Sequence, residues 1–450
     1  MNVSIGVEHF GKIEKAEITL GRLILLVGEN NSGKTYMMQL LYGVTSAIIR
    51  HSRFKMRKCK GDEEQYLIDW ESIDAWEKSI NEYLEQNKEQ IVRDIFYRDI
   101  PIGRLYMRVK DVDLAYVIRI IKRLGFVRES ADDMMLTESL RYEATVSRKE
   151  NGEEKTFSRM VFGRTLDKDF VDKHVEETVA ADILGMRSAD SALFFPASRA
   201  GMLLLYKYFF AEKDTKFILA DGAEKDTEEK NQLGLSAPVY SFLQFLLRFT
   251  PDHLPGKKQQ ELLDFIQKHL IEGKLELSSD ESFYIPEGSE QRIPLYLSSS
   301  LINELAPIVK MLSGIYRYDT VYYDEIETCL HPLKQKAMAR LIVRLVNSGR
   351  RMIISTHSDS MAGNMNNLLT FTMGSWGTEL KEKKMRALSL EEADILQTKD
   401  VHVYQFMNTD YGTSNVSELE FRTVNNLGYD FELFNQNLRN LSDDTIKIME

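Results

Sequence analysis

Hydrophobic positions change their period several times along the chain, and each change marks an element. Residues 13–20 alternate partly in the manner of a half-buried strand, Gly21 turns the chain, and residues 23–27 form a short, wholly apolar strand. A tight loop separates that strand from a helix predicted over residues 35–49. From about residue 50 to 190 the sequence is charged and mostly helical in character. There, residues 71–97 place Ile73, Trp76, Ile80, Tyr83 and Leu84 on one helix face. Residues 141–162 read as a β-hairpin turning at Asn151-Gly152, a dipeptide that tolerates positive φ at both central positions.

A second insertion follows Tyr208: a polar loop over 221–232, helices over 239–249 and 259–271, and strands at 274–278, 282–285 and 293–297. Next come a Ser-initiated helix, an apolar strand ending at Asp324, a helix to Val346 and a strand over 352–355. The tail reads as strands at 402–406 and 418–422 and a terminal helix. The pattern as a whole is α/β with insertions.

Composition narrows this little. A length of 450 residues fits about three domain-sized units or one large α/β domain with insertions. With 43% hydrophobic and 28% charged residues the chain is not disordered, and 9 Pro with 25 Gly exclude a fibrous one. No apolar run approaches the roughly 18 residues of a membrane span, and the N-terminus lacks a basic-then-apolar signal pattern, so a cytoplasmic protein is expected. Cys59 and Cys329 are too few for a disulfide framework or a four-ligand zinc site, and both read as buried thiols. A net charge of −11 argues against general polyanion binding.

Three short segments carry chemistry. Gly28-Glu29-Asn30-Asn31-Ser32-Gly33-Lys34-Thr35 fits G-x-x-x-x-G-K-[ST] between an apolar strand and a helix. Glycines let backbone N–H groups turn inward around phosphates, and the helix N-terminus adds a positive dipole end. Lys34 would reach the β- and γ-phosphates of ATP, and the Thr35 hydroxyl would ligate Mg²⁺. The strand ending at Asp324-Glu325 sets two acids where metal and water collect, at a sheet's carboxyl edge. Asp324 would hold Mg²⁺ through water, and Glu325 would polarise the attacking water. His357 ends the next strand, where it can donate to the γ-phosphate whether neutral or charged.

This order resembles the ABC-class P-loop ATPases of the RecF/SMC/OLD-like branch. Residues 28–35 look like Walker A, 321–325 like Walker B, 327–332 like the D-loop segment and 354–359 like the H-loop. Leu297-Ser298-Ser299-Ser300-Leu301, followed by Asn303-Glu304-Leu305-Ala306-Pro307, resembles a degenerate signature motif that lacks both glycines and the glutamine of the usual form. Phe195-Pro196-Ala197-Ser198-Arg199 is similar to a PAxR element of that branch, with Arg199 either on a phosphate or paired with an acid. Ile326 stands where proline is usual, and Gln65 is a weak candidate for the Gln-loop.

The resemblance implies an ABC-ATPase-like head with a P-loop sheet core, an antiparallel β lobe and largely helical insertions. The core would comprise 1–48, 191–208 and 291–375, the insertions 49–190 and 209–290, and a C-terminal unit 376–450. In such ATPases Ser299 and Ser300 of one copy would cap the triphosphate held by another, giving a homodimer or higher homo-oligomer. Plain N-capping would explain these serines equally well.

Within the branch, sustained heptads, a Cys-x-x-Cys hook, an HNH cluster, and an Asp-x-Asp after His357 are all missing from the sequence. The profile therefore resembles ATPase subunits of bacterial anti-phage systems, such as that of PARIS, which control a separate nuclease or toxin effector. The alternative is a RecF-like repair ATPase that binds DNA directly through residues 50–60, where six of eleven residues are Lys or Arg. Asp62, Glu63 and Glu64 would balance that run as a solvated surface. A scaffold with negligible turnover fits poorly, because binding alone needs no water-activating Glu325.

Overall fold

Every residue of the apolar strand near the N-terminus is buried, because layers cover both faces of its sheet. The computed structural model describes residues 1–59, 62–128, 136–163, 167–211, 234–278, 281–423, 428–431, 442–444 and 446–448. That strand is β3 (Leu23–Gly28). Ile24 and Leu26 point into one core with Met37, Leu40, Leu41 and Val44 of α1 (Lys34–His51). Leu23, Leu25 and Val27 point into the other, with Leu341, Ile342 and Leu345 of α8 (Pro332–Asn347). Two-sided burial is why β3 reads as a continuous apolar run instead of an alternation.

Nine strands make this central sheet, in the order β10-β14-β15-β3-β16-β17-β2-β1-β6. The first five are mutually parallel: β10 (Ala192–Phe195), β14 (Thr320–Tyr323), β15 (Arg351–Thr356), β3 and β16 (Val401–Asn408). Their carboxyl ends consequently share one edge. The other wing is mostly antiparallel: β17 (Ser414–Glu418), β2 (Ile13–Thr19), β1 (Asn2–Phe10) and β6 (Arg104–Lys110).

A second sheet of five antiparallel strands carries β4 (Arg57–Cys59), β5 (Asp62–Ile68), β7 (Leu114–Arg128), β8 (Leu136–Glu150) and β9 (Glu153–Phe162). Its β8–β9 hairpin turns at Asn151 and Gly152, both at positive φ, where the Asn-Gly pair predicts it. A small sheet holds β11 (Gly273–Glu276), β12 (Phe283–Pro286) and β13 (Ile293–Pro294). The remaining helices are α2 (Trp70–Phe96), α3 (Lys168–Ile183), α4 (Arg199–Ala211), α5 (Ala237–Leu247), α6 (Lys257–Ile266), α7 (Ser300–Ser313), α9 (Asp359–Met373) and α10 (Thr378–Leu388).

Differences from the sequence reading have local causes. Residues 50–190 contain more strand than their charge predicts, since one face of the five-stranded sheet is polar and its apolar positions sit in register with α2 and α3. Strand β6 and the tail strands β16 and β17 complete the central sheet, outside the core segments expected for it. β17 ends at Glu418, earlier than expected, because its register is set by pairing Ser414 with Asn408. Helix α10 buries none of its residues, so it has no apolar stripe to announce it. Of the two thiols, Cys59 is half-buried and Cys329 exposed, not buried as a pair. The expected loop over 221–232 lies outside the described residues, as does most of the expected terminal helix. Among the described residues no helix is long and apolar enough to cross a membrane.

At the amino end of β16, His402 clasps β17. Its Nδ1 lies 2.6 Å from Glu418 Oε1 and its Nε2 3.4 Å from Asp400 Oδ1. Burial opposes a charged ring, yet the hydrogen bonds to Asp400 and Glu418 outweigh it and raise the imidazole from 6.5 to about 9. A raised folded-state value means this stabilisation is whole below the unfolded value of 6.5 and fades as pH climbs toward about 9. Thermal midpoints measured across that window should therefore fall more steeply for the native chain than for His402→Gln; equal slopes would refute the clasp.

Candidate functional site

The phosphate loop leaves β3 at Gly28 and enters α1 at Lys34. Its glycines are sterically required. Gly28 has φ 146°, and a Cβ there would lie 2.1 Å from the Phe406 carbonyl oxygen of the neighbouring strand. Gly33 has φ 94°, and a Cβ would meet Ile13 at 2.9 Å. Asn31 also adopts positive φ (57°), a conformation asparagine tolerates better than most residues. The loop is braced from outside: Glu29 accepts the Asn408 N–H at 2.9 Å, and Lys12 donates to the Asn31 carbonyl. The Lys34 ammonium donates to the Gly28 and Glu29 carbonyls at 2.9 and 2.6 Å, drawn back over its own loop. Burial lowers its pKa, while Asp324 and Glu325 pull the other way.

Two strands beside the loop supply the acids and the histidine. Asp324, 2% exposed, follows β14. One of its oxygens accepts the Thr35 hydroxyl at 2.8 Å and the other accepts the Ser355 hydroxyl at 2.5 Å. Burial raises the Asp324 pKa against the pull of both hydroxyls. Ser355 also accepts the Glu325 N–H at 2.8 Å, which fixes the start of the next turn. Glu325 itself sits at φ 46°, a left-handed conformation that costs on the order of 1 kcal/mol for a residue with a Cβ. Its carboxylate remains partly exposed, and His357 Nδ1 lies 3.9 Å from Oε1.

Lys34, Thr35, Asp324, Glu325 and His357 are thus brought to one edge of the sheet, as their motifs predict. Gln65 is not: it lies on β5 of the other sheet, opposite Arg119. Ser299 and Ser300 open α7 and are exposed, and the Ser299 hydroxyl makes no cap hydrogen bond. Among the described residues neither bonds to the phosphate loop. Three of the six basic residues in the run face acids, Arg50 on Asp190, Arg53 near Glu176 and Arg57 on Asp69 and Glu71.

Arg199 resolves in favour of the acid. It is fully buried at the start of α4, ion-paired with Glu304 of α7 and stacked 4.4 Å from the Tyr323 ring centre. Its guanidinium also donates to the carbonyls of Pro196 (3.0 Å), Asp324 (2.7 Å) and Glu325 (3.0 Å). One side chain therefore joins the end of β10, the acidic turn and α7. Glu304, 1% exposed, is raised by burial to about 7 despite the arginine beside it. In the sequence Glu304 stands within the signature-like stretch, but nothing there pairs it with Arg199; it is buried on α7 beside Asn303.

Donor chemistry at the loop suits a hard cation brought in with a phosphate. Thr35 and Asp324 offer oxygen only, and among the described residues no cluster of three or more His, Cys, Asp or Glu could cage a metal.

Residues 211–362 match the profile of the AAA ATPase domain family, a stretch that holds Ser299, Ser300, Asp324, Glu325 and His357. No curated protein matches the chain. Among solved structures it is similar to an Smc head bound to the C-winged helix domain of ScpA, at 12% identity and TM-score 0.36, covering 94% of this chain and 97% of that one. It is similar also to an Smc head with an extended coiled coil bound to the C-terminal domain of ScpA, from Pyrococcus furiosus (13% identity, TM-score 0.34, 99% of each chain). The SMC head domain from Thermotoga maritima is a third (11% identity, TM-score 0.34, 93% of this chain and 100% of that one).

Breaking the buried pair should be severe. Arg199→Leu should lower unfolding free energy by about 3–5 kcal/mol, because it strands Glu304 and three carbonyls. Replacing both partners with leucine should be milder than the sum of the single changes, and denaturant melts of the three variants test this. Additive losses would mean that the two groups do not depend on each other.

Proposed function

We propose that this protein binds and hydrolyses ATP at the edge shared by β3, β14 and β15. One observation carries the reading: Lys34, Thr35, Asp324, Glu325 and His357 come from three separate segments and meet at adjacent parallel strand ends. This is the crevice where open α/β sheets take their ligands.

Each residue has a distinct task there. Backbone N–H groups of residues 30–35 would cradle the phosphates, aided by the α1 N-terminus. Lys34 would exchange its bonds to the Gly28 and Glu29 carbonyls for phosphate oxygens. Thr35 and Asp324 would hold Mg²⁺, whose chemistry is to neutralise charge on the β- and γ-phosphates. Glu325 would orient the attacking water and accept its proton. His357 would donate toward the γ-phosphoryl group as charge develops on it.

The finer reading is that of a switch. Exposed Ser299 and Ser300 would cap the triphosphate of a second copy, making a homodimer or higher homo-oligomer of the OLD-like kind. Arg199 and Glu304 run from the acidic turn to the helix that carries those serines, so occupancy at one would bias the position of the other. The assembly would then hold or release a separate nuclease or toxin effector in anti-phage defence, a proposal supported by the motif order.

Lys34→Ala should abolish ATP binding, read by calorimetry or a fluorescent nucleotide. Glu325→Gln should bind ATP with near-native affinity while phosphate release falls about 100-fold or more. Unchanged binding by the first variant, or unchanged turnover by the second, would overturn the proposal.

A further inference from the structure

The acidic turn contains a third carboxylate, Glu327, which has no task in the mechanism above. It is 7% exposed, buried among the loop that follows β14. Its Oε1 accepts the His357 backbone N–H at 2.8 Å and lies 3.1 Å from the His357 ring Nδ1. Both contacts converge on one oxygen, which accepts the main-chain N–H and lies within ion-pair distance of the ring. The competing acid is farther away: Glu325 Oε1 lies 3.9 Å from the same ring nitrogen, beyond hydrogen-bond range. The turn is also rigid around it. The Leu330 N–H donates to the Glu327 carbonyl at 2.9 Å, and the Thr328 hydroxyl donates to the Glu325 carbonyl at 2.9 Å.

Resting on the ATPase reading above, we propose that Glu327 is the positioning residue for His357 and keeps that ring off the water-activating carboxylate. A carboxylate bound to one imidazole nitrogen sets the ring's rotation and tautomer, leaving the other nitrogen for the reacting group. In this arrangement Nδ1, 3.1 Å from Glu327, would turn its N–H to that acid and leave Nε2 for the γ-phosphoryl group. The second effect is on Glu325. Without Glu327 the imidazole would settle on the nearest remaining acid, occupying the oxygen that must accept a proton from water. The chain thus separates two functions by less than an ångström of difference in distance, 3.1 against 3.9 Å. Glu327 touches neither substrate nor water in this scheme and acts through the histidine alone.

The test uses the full chain with Glu327→Ala, Glu327→Gln, His357→Ala and the Glu327→Ala/His357→Ala double variant. ATP affinity should stay within about twofold in all four, while kcat of Glu327→Ala drops to within about threefold of His357→Ala. The double variant should be no slower than His357→Ala alone, since both changes remove one unit. Glu327→Gln keeps an oxygen for the His357 N–H and should recover at least tenfold of the loss. Multiplicative losses in the double variant, or native kcat in Glu327→Ala, would overturn the proposal. A readout free of turnover separates this idea from the ATPase reading. Long-range ¹H–¹⁵N spectra of the histidine rings, with His357 assigned by its alanine variant, should show a protonated Nδ1 that is lost in Glu327→Ala. A ring signature unaltered by that change refutes Glu327 even in an active enzyme. Failure of the native chain to hydrolyse ATP would refute the activity and leave the ring result standing.

Discussion

The structure turns on one buried carboxylate. Asp324 is almost sealed from solvent, and an acid in that position must have both oxygens met or carry a penalty of several kcal/mol. Thr35 meets one and Ser355 the other, so the start of α1 and the ends of β14 and β15 are tied at a single group. The same tie fixes the distance between the phosphate loop and the acidic turn. The start of α1, the acidic turn and the end of β15 are consequently held at fixed distances from one another.

Around this knot the protein uses buried charge in an unusual quantity. Arg199, Glu304 and Glu327 all lie inside; Arg199 and Glu327 hold main-chain groups, and Glu304 is paired with Arg199. Buried ion pairs add little net stability over apolar packing, because desolvation offsets their attraction. Their value here lies in geometry: a guanidinium planar against Tyr323 and forked onto two carbonyls permits one arrangement of the turn and few others.

What the sequence made legible follows the same logic. Two-sided burial wrote β3, β14 and β15 as short apolar runs, and the motif residues Gly28, Asp324 and His357 stand at or just past their ends. Asn151-Gly152 marked its hairpin because only such residues accept that turn. Other features left weaker traces. The five-stranded sheet alternates with charged residues that resemble a solvated helix, and β6 joins the central sheet from within a long insertion. Glu304 and Glu327 stand inside motif-like segments, but their burial was not legible there, since it depends on neighbours distant in the chain. Arg199 stood open between two roles until Glu304 was found beside it.

The place of β16 has a consequence for synthesis. β3, formed near the start of the chain, has β15 on one side and β16, residues 401–408, on the other. The phosphate loop is braced by Asn408 at the end of that late strand. During translation β3 would therefore wait, with one flank uncovered, until residues 401–408 had left the ribosome. Such long-range parallel pairing closes slowly, and it exposes an apolar edge meanwhile. Order in the phosphate loop thus rests on a contact between residues 379 positions apart, and removing β16 would remove that brace.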